Sequence, residues 1–274
     1  MKKSLFLFLM FLLFGSLCTF AIAKPTNLPR PDPAELKNTT LLPIRVGYFN
    51  GPPHIFFDEK NKKISGAVFD LIENHIAPEM GVKFHWEVKP TTIPRQLNQL
   101  ENSKRFIACL LTFVPNRLEY SIYSKNPFFY GHPIIAVLKG NPLKKVEKAS
   151  DLSHMVIGYV QNTYVTPFMR HPSIRLDLVG SPDFQEINLK KAAHHRIDGV
   201  YSLGKGSTLY YLQKLGLGDE FNLIELPEQP LPFHMVFSKD LGEFAEKFDQ
   251  IFERLGGQNL YLELLSRYID VSKL

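Results

Sequence analysis

The chain has 274 residues, 45% of them hydrophobic and 22% charged, with a formal net charge of +5. The hydrophobic fraction and the 22 phenylalanines supply ample core, and so mild a positive balance excludes nucleic acid as an expected partner. In chain order, Lys2 and Lys3 precede an apolar run from Leu5 to Leu13, and Ala21-Ile22-Ala23 offers small residues two apart. A basic start, a short apolar core and an A-x-A site predict a signal peptide over 1–23, cleaved after Ala23 to leave a secreted protein. Gly15, Ser16 and Thr19 interrupt the run, which is too short to span a bilayer, a task for roughly 20 consecutive apolar residues. Cys18 as a lipidated residue is the alternative, opposed by Leu17 where a small residue is needed. Lys2 and Lys3 leave with the peptide and no acid does, so the remainder is only mildly basic. It is also too long for one ordinary compact domain and comfortable for two. Cys109 then has no second cysteine to pair with and reads as a small buried hydrophobe.

Residues 24–43 carry Pro25, Pro29, Pro31 and Pro33 and are expected to form an extended tether. Alternation over Ile44–Tyr48 predicts a strand, and Gly51-Pro52-Pro53 its turn. Phe69, Ile72 and Ile76 at helical spacing predict a helix closed by Gly81. A strand over Val82–Val88 and a helix around Leu97–Leu100 follow. The unbroken apolar run Phe106–Leu111 predicts a strand covered on both faces. Strand and helix in alternation are the grammar of a parallel sheet in an α/β layer fold. The pattern restarts with strands at Ile134–Leu138 and Val156–Val160, a short helical turn at Ser150–Leu152 and a further helix after Asn162. A strand at Leu178–Gly180, a helix over Gln185–His195, a strand at Ile197–Tyr201 and a helical face of Leu209, Leu212 and Leu215 come next. Phe244, Phe248, Ile251, Phe252 and Leu255 mark an amphipathic helix stopped by Gly256-Gly257, and Leu260, Leu264 and Tyr268 mark a last one.

Several segments, in order and spacing, resemble the extracellular solute-binding proteins of the amino-acid type, family 3. They are Pro52-Pro53, Gly66-Ala67-Val68-Phe69-Asp70-Leu71, Gly81-Val82-Lys83-Phe84, Thr112-Phe113-Val114-Pro115-Asn116-Arg117, Tyr123-Ser124, Pro127-Phe128-Phe129-Tyr130, Asp151-Leu152, Ile157-Gly158 and Arg196-Ile197-Asp198-Gly199-Val200. The resemblance spans residues 44 to about 270. It implies an α/β, two-lobed periplasmic binding protein fold of type II, with two crossover hinge strands and a ligand cleft between the lobes. Lobe 1 would be 44–132 plus 231–274, lobe 2 would be 133–230, and the hinge would run through Tyr130–Pro133 and Pro227–Pro232. The implied partners are a small-molecule ligand and an inner-membrane ABC permease, with the protein acting as a monomer and needing no cofactor.

A carboxylate captured in such a cleft needs a fixed cation, and the planar fork of arginine meets two oxygens at once. The family holds a ligand carboxylate with the positions that correspond here to Thr112 and Arg117; on spacing alone, a surface helix arginine with a nearby strand threonine is the alternative. Asn162, Thr163 and Tyr164 fall where the second lobe of the family contributes contacts, at an expected helix start whose free N–H groups suit an anion; a plain N-cap is the alternative. Tyr48, Tyr164 and Tyr201 are candidates for stacking and hydroxyl contacts, with core packing as the bland reading. The departures from the family pattern bear on the ligand. Leu203 stands where an acid would pair with a ligand ammonium, Tyr48 near another acidic position, Leu110 where a glycine is usual, and Gly51 and Pro90 where an aromatic platform is expected. An aromatic compound, an organic acid or no ligand at all remain the alternatives.

His194-His195 has no metal-binding spacing, since adjacent helical residues point about 100° apart, and no H-E-x-x-H is present. Gly204-Lys205-Gly206-Ser207-Thr208 lacks the spacing of a phosphate loop, and no G-x-S-x-G elbow occurs. A binding protein rather than an enzyme is therefore expected. The resemblance also admits an enzyme on this scaffold, a periplasmic dehydratase acting on a cyclic acid; it would need a poised acid or base, for which His54, Glu73 and Lys205 are candidates that no sequence pattern selects. A sensory or orphan binding module is the third reading.

Overall fold

The computed structural model describes residues 43–274. The expected signal peptide, its cleavage site and the proline-rich stretch up to residue 42 lie outside the described residues.

The chain enters through β1 (Ile44–Gly47), turns at Gly51–Pro53 and forms a hairpin of β2 (Phe56–Asp58) and β3 (Lys63–Ser65). The hairpin was not expected, because Phe56-Phe57-Asp58 carries no alternation. Gly66 leads into α1 (Ala67–Leu71), a π turn (Ile72–Ile76) and α2 (Ala77–Met80), continuous in sequence. Gly66 has φ 120°, and a β-carbon there would lie 2.5 Å from the His54 carbonyl oxygen, so only glycine fits. Gly81 ends the helix in the left-handed conformation, φ 66°. The buried face is Val68, Leu71, Ile72 and Ile76. Phe69, expected in that stripe, sits off it and packs on Trp86 at 5.2 Å between ring centroids.

Next come β4 (Phe84–Trp86), α3 (Ile93–Asn102), β5 (Phe106–Thr112), β6 (Ser121–Tyr123) and β7 (Phe129–Gly131). α3 starts where Thr92 accepts a hydrogen bond from the Arg95 amide, with Pro94 in the first turn. All seven residues of β5 are buried, as its unbroken apolar run requires. The chain continues through β8 (Ile134–Leu138), β9 (Val156–Val160), β10 (Arg175–Val179), α4 (Phe184–Ala193), β11 (Gly199–Ser202), α5 (Lys205–Lys214) and β12 (Phe221–Glu225). It ends with β13 (Leu231–Ser238), α6 (Gly242–Arg254) and α7 (Gln258–Ser266).

Two sheets result. The first has the order β4-β1-β5-β13-β6, with β7 also paired to β13; the second has the order β10-β9-β11-β8-β12. Neither is the purely parallel sheet that strand–helix alternation suggested. β4, β1 and β5 are parallel, but β13 joins β5 antiparallel. β9, β10 and β11 are parallel, but β8 and β12 run antiparallel to their neighbours. Pattern in one segment reports burial, whereas direction depends on which strand it meets. The first sheet draws on residues 44–131 and 231–238 and the second on 134–225, so the chain passes between them twice. Beside those passages Gly131 and Leu231 are paired antiparallel.

Each sheet carries its own core. In the first lobe Phe128, Phe237, Phe248, Phe252 and Tyr261 are fully buried around α6 and α7. Each such ring stabilises the fold by about 1.5–3 kcal/mol through area removed from water. In the second lobe the sheet has a separate apolar cluster around Ile157, Tyr159 and Tyr201 and another around Leu189, Val200 and Leu212. Phe184 and Leu203 touch both the first-lobe core and a second-lobe core. No helix among the described residues is long and apolar enough to cross a membrane.

Candidate functional site

β5 carries an irregularity just before its end. Ala108 pairs with Val236 and Leu111 with His234, so β5 has one residue more than β13 across the shift. Leu110 takes the strain, with φ 64°, in a region that favours glycine. Such bulges re-aim the side chains around them, and here Thr112 follows two residues later. The chain then enters a 3-10 turn, Pro115–Glu119, which folds Arg117 back toward the strand it has left. Arg117 Nη1 donates to the Thr112 carbonyl oxygen at 3.2 Å, and Ser121 Oγ donates to the Arg117 carbonyl at 2.7 Å.

Arg117 is only 7% exposed and Thr112 5%. Among the described residues no carboxylate lies within ion-pair distance of Arg117. Thr112 Oγ1 is buried with no hydrogen-bond partner. A buried cation without a counter-charge and a buried hydroxyl without a partner are both costly. They sit together on the wall of a cavity of about 100 Å³ that both lobes line.

The first lobe contributes Phe49, His54, Leu110 and a stack of aromatic rings. His54 lies flat on Phe129, 4.2 Å between centroids and 5° between planes, and Phe129 on Phe233 at 4.8 Å and 1°. His54 Nδ1 and the Tyr261 hydroxyl are 2.6 Å apart. Burial holds the His54 imidazole down to a pKa of about 3, so the ring is neutral. From the second lobe come Tyr159, Thr163, Tyr164, Phe184 and Leu203. The Tyr159 hydroxyl, its pKa pushed up chiefly by burial, donates to the Tyr164 carbonyl at 2.6 Å and ties the 161–164 loop to β9. Thr163 Oγ1 donates to the Val160 carbonyl at 3.4 Å.

The lobes touch around this cavity. The Phe49 and Phe184 rings stand 6.2 Å apart, Phe56 and Tyr210 5.4 Å, and Asn50 Nδ2 donates to Asp183 Oδ1 at 2.5 Å.

Of the residues singled out from sequence, Arg117, Thr112, Thr163 and Tyr164 line the cavity; Asn162, Tyr48 and Tyr201 do not. The helix expected after Asn162 is absent. Residues 161–170 form turns, and Asn162 is exposed with φ 54°, so no helix N-terminus faces a ligand there. Tyr48 keeps the strand parity of Ile44 and Val46 and is carried into the first-lobe core, edge-on to Trp86 at 6.2 Å. Tyr201 is wholly buried, its ring against Tyr159 at 4.6 Å and its hydroxyl 3.0 Å from Thr166 Oγ1. The acid–base candidates are scattered: His54 lines the cavity, Glu73 accepts from Trp86 Nε1 at 2.7 Å, and Lys205 is paired with Glu225. Sequence reading missed Phe49, Phe129, Phe184 and Phe233 as cavity residues. Nothing in their spacing separates them from the chain's many core phenylalanines. Among the described residues no cluster of three or more His, Cys, Asp or Glu is placed to hold a metal ion.

A scan against protein-family models finds no match, and a search of curated proteins finds none either. Solved structures do match. An ancestral arginine-binding protein bound to arginine is 21% identical over 83% of this chain and 98% of its own, with a TM-score of 0.67. An arginine transport-system periplasmic binding protein from Legionella pneumophila is 16% identical over 84% of this chain and 100% of its own, with a TM-score of 0.66. The BvgS periplasmic domain of Bordetella pertussis is 16% identical over 82% of this chain but 42% of its own, with a TM-score of 0.68. Two lobes on mixed sheets, joined by two passages of the chain around a shared cavity, are thus the two-lobed α/β fold of the periplasmic solute-binding proteins.

Proposed function

We propose that this protein is a secreted, periplasmic solute-binding protein that captures a small carboxylate-bearing solute between its lobes and delivers it to an ABC importer. The observation that carries the reading is the buried guanidinium of Arg117, without a carboxylate partner, beside the unpartnered hydroxyl of Thr112 on the cavity wall. An anion bound there supplies the missing counter-charge and accepts charge-assisted hydrogen bonds, the stronger class. Thr163 and Tyr164 approach from the opposite lobe, so a solute touching both walls favours the closed arrangement over an open one. The two passages between sheets then act as the hinge of lobe 1 (44–132 and 231–274) against lobe 2 (133–230). Structural neighbours that serve transport systems support transport as the setting.

The test is a thermal-shift screen of amino acids, aliphatic and aromatic carboxylates, followed by the Arg117→Ala variant. A ligand raises the unfolding temperature by mass action. A carboxylate hit lost in Arg117→Ala supports the reading; a hit of undiminished affinity removes Arg117 from the site.

A second reading is a ligand-binding module serving a different membrane partner. It is favoured by the BvgS match, in which the shared fold occupies 42% of a longer chain. Co-purification with an ABC permease decides between the two.

A further inference from the structure

The cavity wall holds one charge. Among the described residues that line it there is no Asp or Glu, and Arg117 is its charged member, His54 being neutral. The rest is mainly apolar: Phe49, Leu110, Phe129, Phe184, Leu203 and Phe233 cover most of the surface a solute would meet. Several polar groups on the second-lobe side are engaged within the protein. Gln185 Nε2 donates to Thr208 Oγ1 at 2.8 Å, Ser202 Oγ to the Gly204 carbonyl at 2.7 Å, and the Tyr159 hydroxyl to the Tyr164 carbonyl. Neutral oxygens such as these do not neutralise an ammonium. Asp183 and Glu228 are not among the residues that line the cavity: Asp183 accepts from Asn50, and Glu228 accepts from Thr166 at 3.0 Å beside Tyr201.

We infer that the solute is a monocarboxylate with a compact apolar body and no ammonium or other cationic group. One end matches Arg117 and Thr112, and the body fills the aromatic and aliphatic remainder. A zwitterionic amino acid would bring its ammonium against leucine and phenylalanine with no counter-charge, and burying an unpaired charge is far more costly than burying a methyl group. Size limits the apolar body. An apolar cavity of about 150 Å³ accepts a benzene ring, and this one measures about 100 Å³, so with the carboxylate held on the wall by Arg117 the body beyond it is a small branched alkyl group rather than an aromatic ring. The inference rests on the carboxylate-capture reading, and the experiment separates the two.

Isothermal titration with matched pairs, isovalerate against valine and isocaproate against leucine, isolates the ammonium because each pair differs there alone. Arginine and the neutral amide isovaleramide complete the set, each probe run on the protein and on Arg117→Met. At least one acid is expected to bind at least about tenfold tighter than its amino acid and than the amide, and to lose that binding in Arg117→Met. Valine, leucine or arginine binding as tightly as the acids, still dependent on Arg117, overturns the solute class and leaves carboxylate capture standing. An acid that binds no better than the amide, or binds equally well to Arg117→Met, overturns carboxylate capture itself. Silence from every probe overturns the inference as stated.

Discussion

Asn50, just after β1, and Asp183, just before α4, are joined by a 2.5 Å hydrogen bond from amide to carboxylate between the two lobes. Phe49 and Phe184, their neighbours in sequence, both line the cavity with ring centroids 6.2 Å apart. The polar pair is expected to latch the lobes beside this aromatic wall. Asn50→Ala is expected to weaken closure by about 1.5 kcal/mol, the lower end for a hydrogen bond to a charged group, or roughly tenfold in the closed-to-open ratio. Small-angle scattering should show a larger radius of gyration for the unliganded variant, and solute affinity should fall by a similar factor. An unchanged radius and affinity would remove the latch.

Arg117 predicts opposite signs for binding and for stability. Its guanidinium is buried with no carboxylate partner, so Arg117→Met exchanges an uncompensated cation for an apolar chain of similar length. Replacing even a paired set of buried charges by apolar chains is often neutral or stabilising, and a lone buried cation has no ion pair to lose. Without ligand the variant should melt at the same temperature as the parent or higher, while the shift caused by a bound carboxylate disappears. A large loss of stability in the ligand-free variant would mean that the arginine is structural.

The His54 ring predicts a pH dependence. Its folded pKa, about 3, lies below the ordinary value of 6.5, so below pH 6.5 the unfolded chain binds a proton that the folded one refuses. Stability contributed by neutral His54 is full above pH 6.5 and is lost as pH falls toward 3, at about 1.4 kcal/mol per unit in the limit. His234, lowered mainly by burial, acts in the same direction. Asp249, raised to about 6 by burial, acts in the opposite one, favouring the fold as pH drops. Urea unfolding of the parent and of His54→Gln between pH 7 and 4 isolates the His54 contribution, because the other groups cancel in the difference. The variant should show the shallower decline, and parallel curves would contradict the assignment.

Leu110 predicts a compensation. Its left-handed backbone costs a leucine about 1–2 kcal/mol, while its buried side chain, 4% exposed on the cavity wall, stabilises the fold by about 1.5–3 kcal/mol. Leu110→Gly should therefore cost only about 1 kcal/mol in urea unfolding, less than Leu111→Gly on the same strand. It also widens the cavity, so phenylacetate should gain affinity relative to isovalerate. A loss as large as that of Leu111→Gly would show that no strain is relieved.

Most of the secondary structure is legible without coordinates, because burial on one face leaves a local period. The unbroken run Phe106–Leu111 becomes, with Thr112, the central strand of the first sheet, and Phe248, Ile251 and Phe252 become the buried stripe of α6. What local pattern cannot carry is direction and opposition. The antiparallel entry of β13 beside β5 is set by residues more than 100 positions away, and the 56–65 hairpin has too few residues to show a period.

The site divides along the same line. Arg117 and Thr112 are near in sequence and joined by one turn, so local chain geometry returns this cation to the end of its own strand; the family resemblance, not their spacing, is what marks them. Tertiary structure alone decided the rest. Tyr48 and Tyr201 have the same chemistry as Tyr164, yet strand parity and packing sink the first two into the cores and leave the third on the cavity. Phe49 and Phe184 become one wall only because two lobes meet there, and no acid joins Arg117 because the second lobe brings Leu203 to the cleft. Which side chains share a cavity is a property of distance in space, and a chain that crosses between lobes twice severs it from distance in sequence.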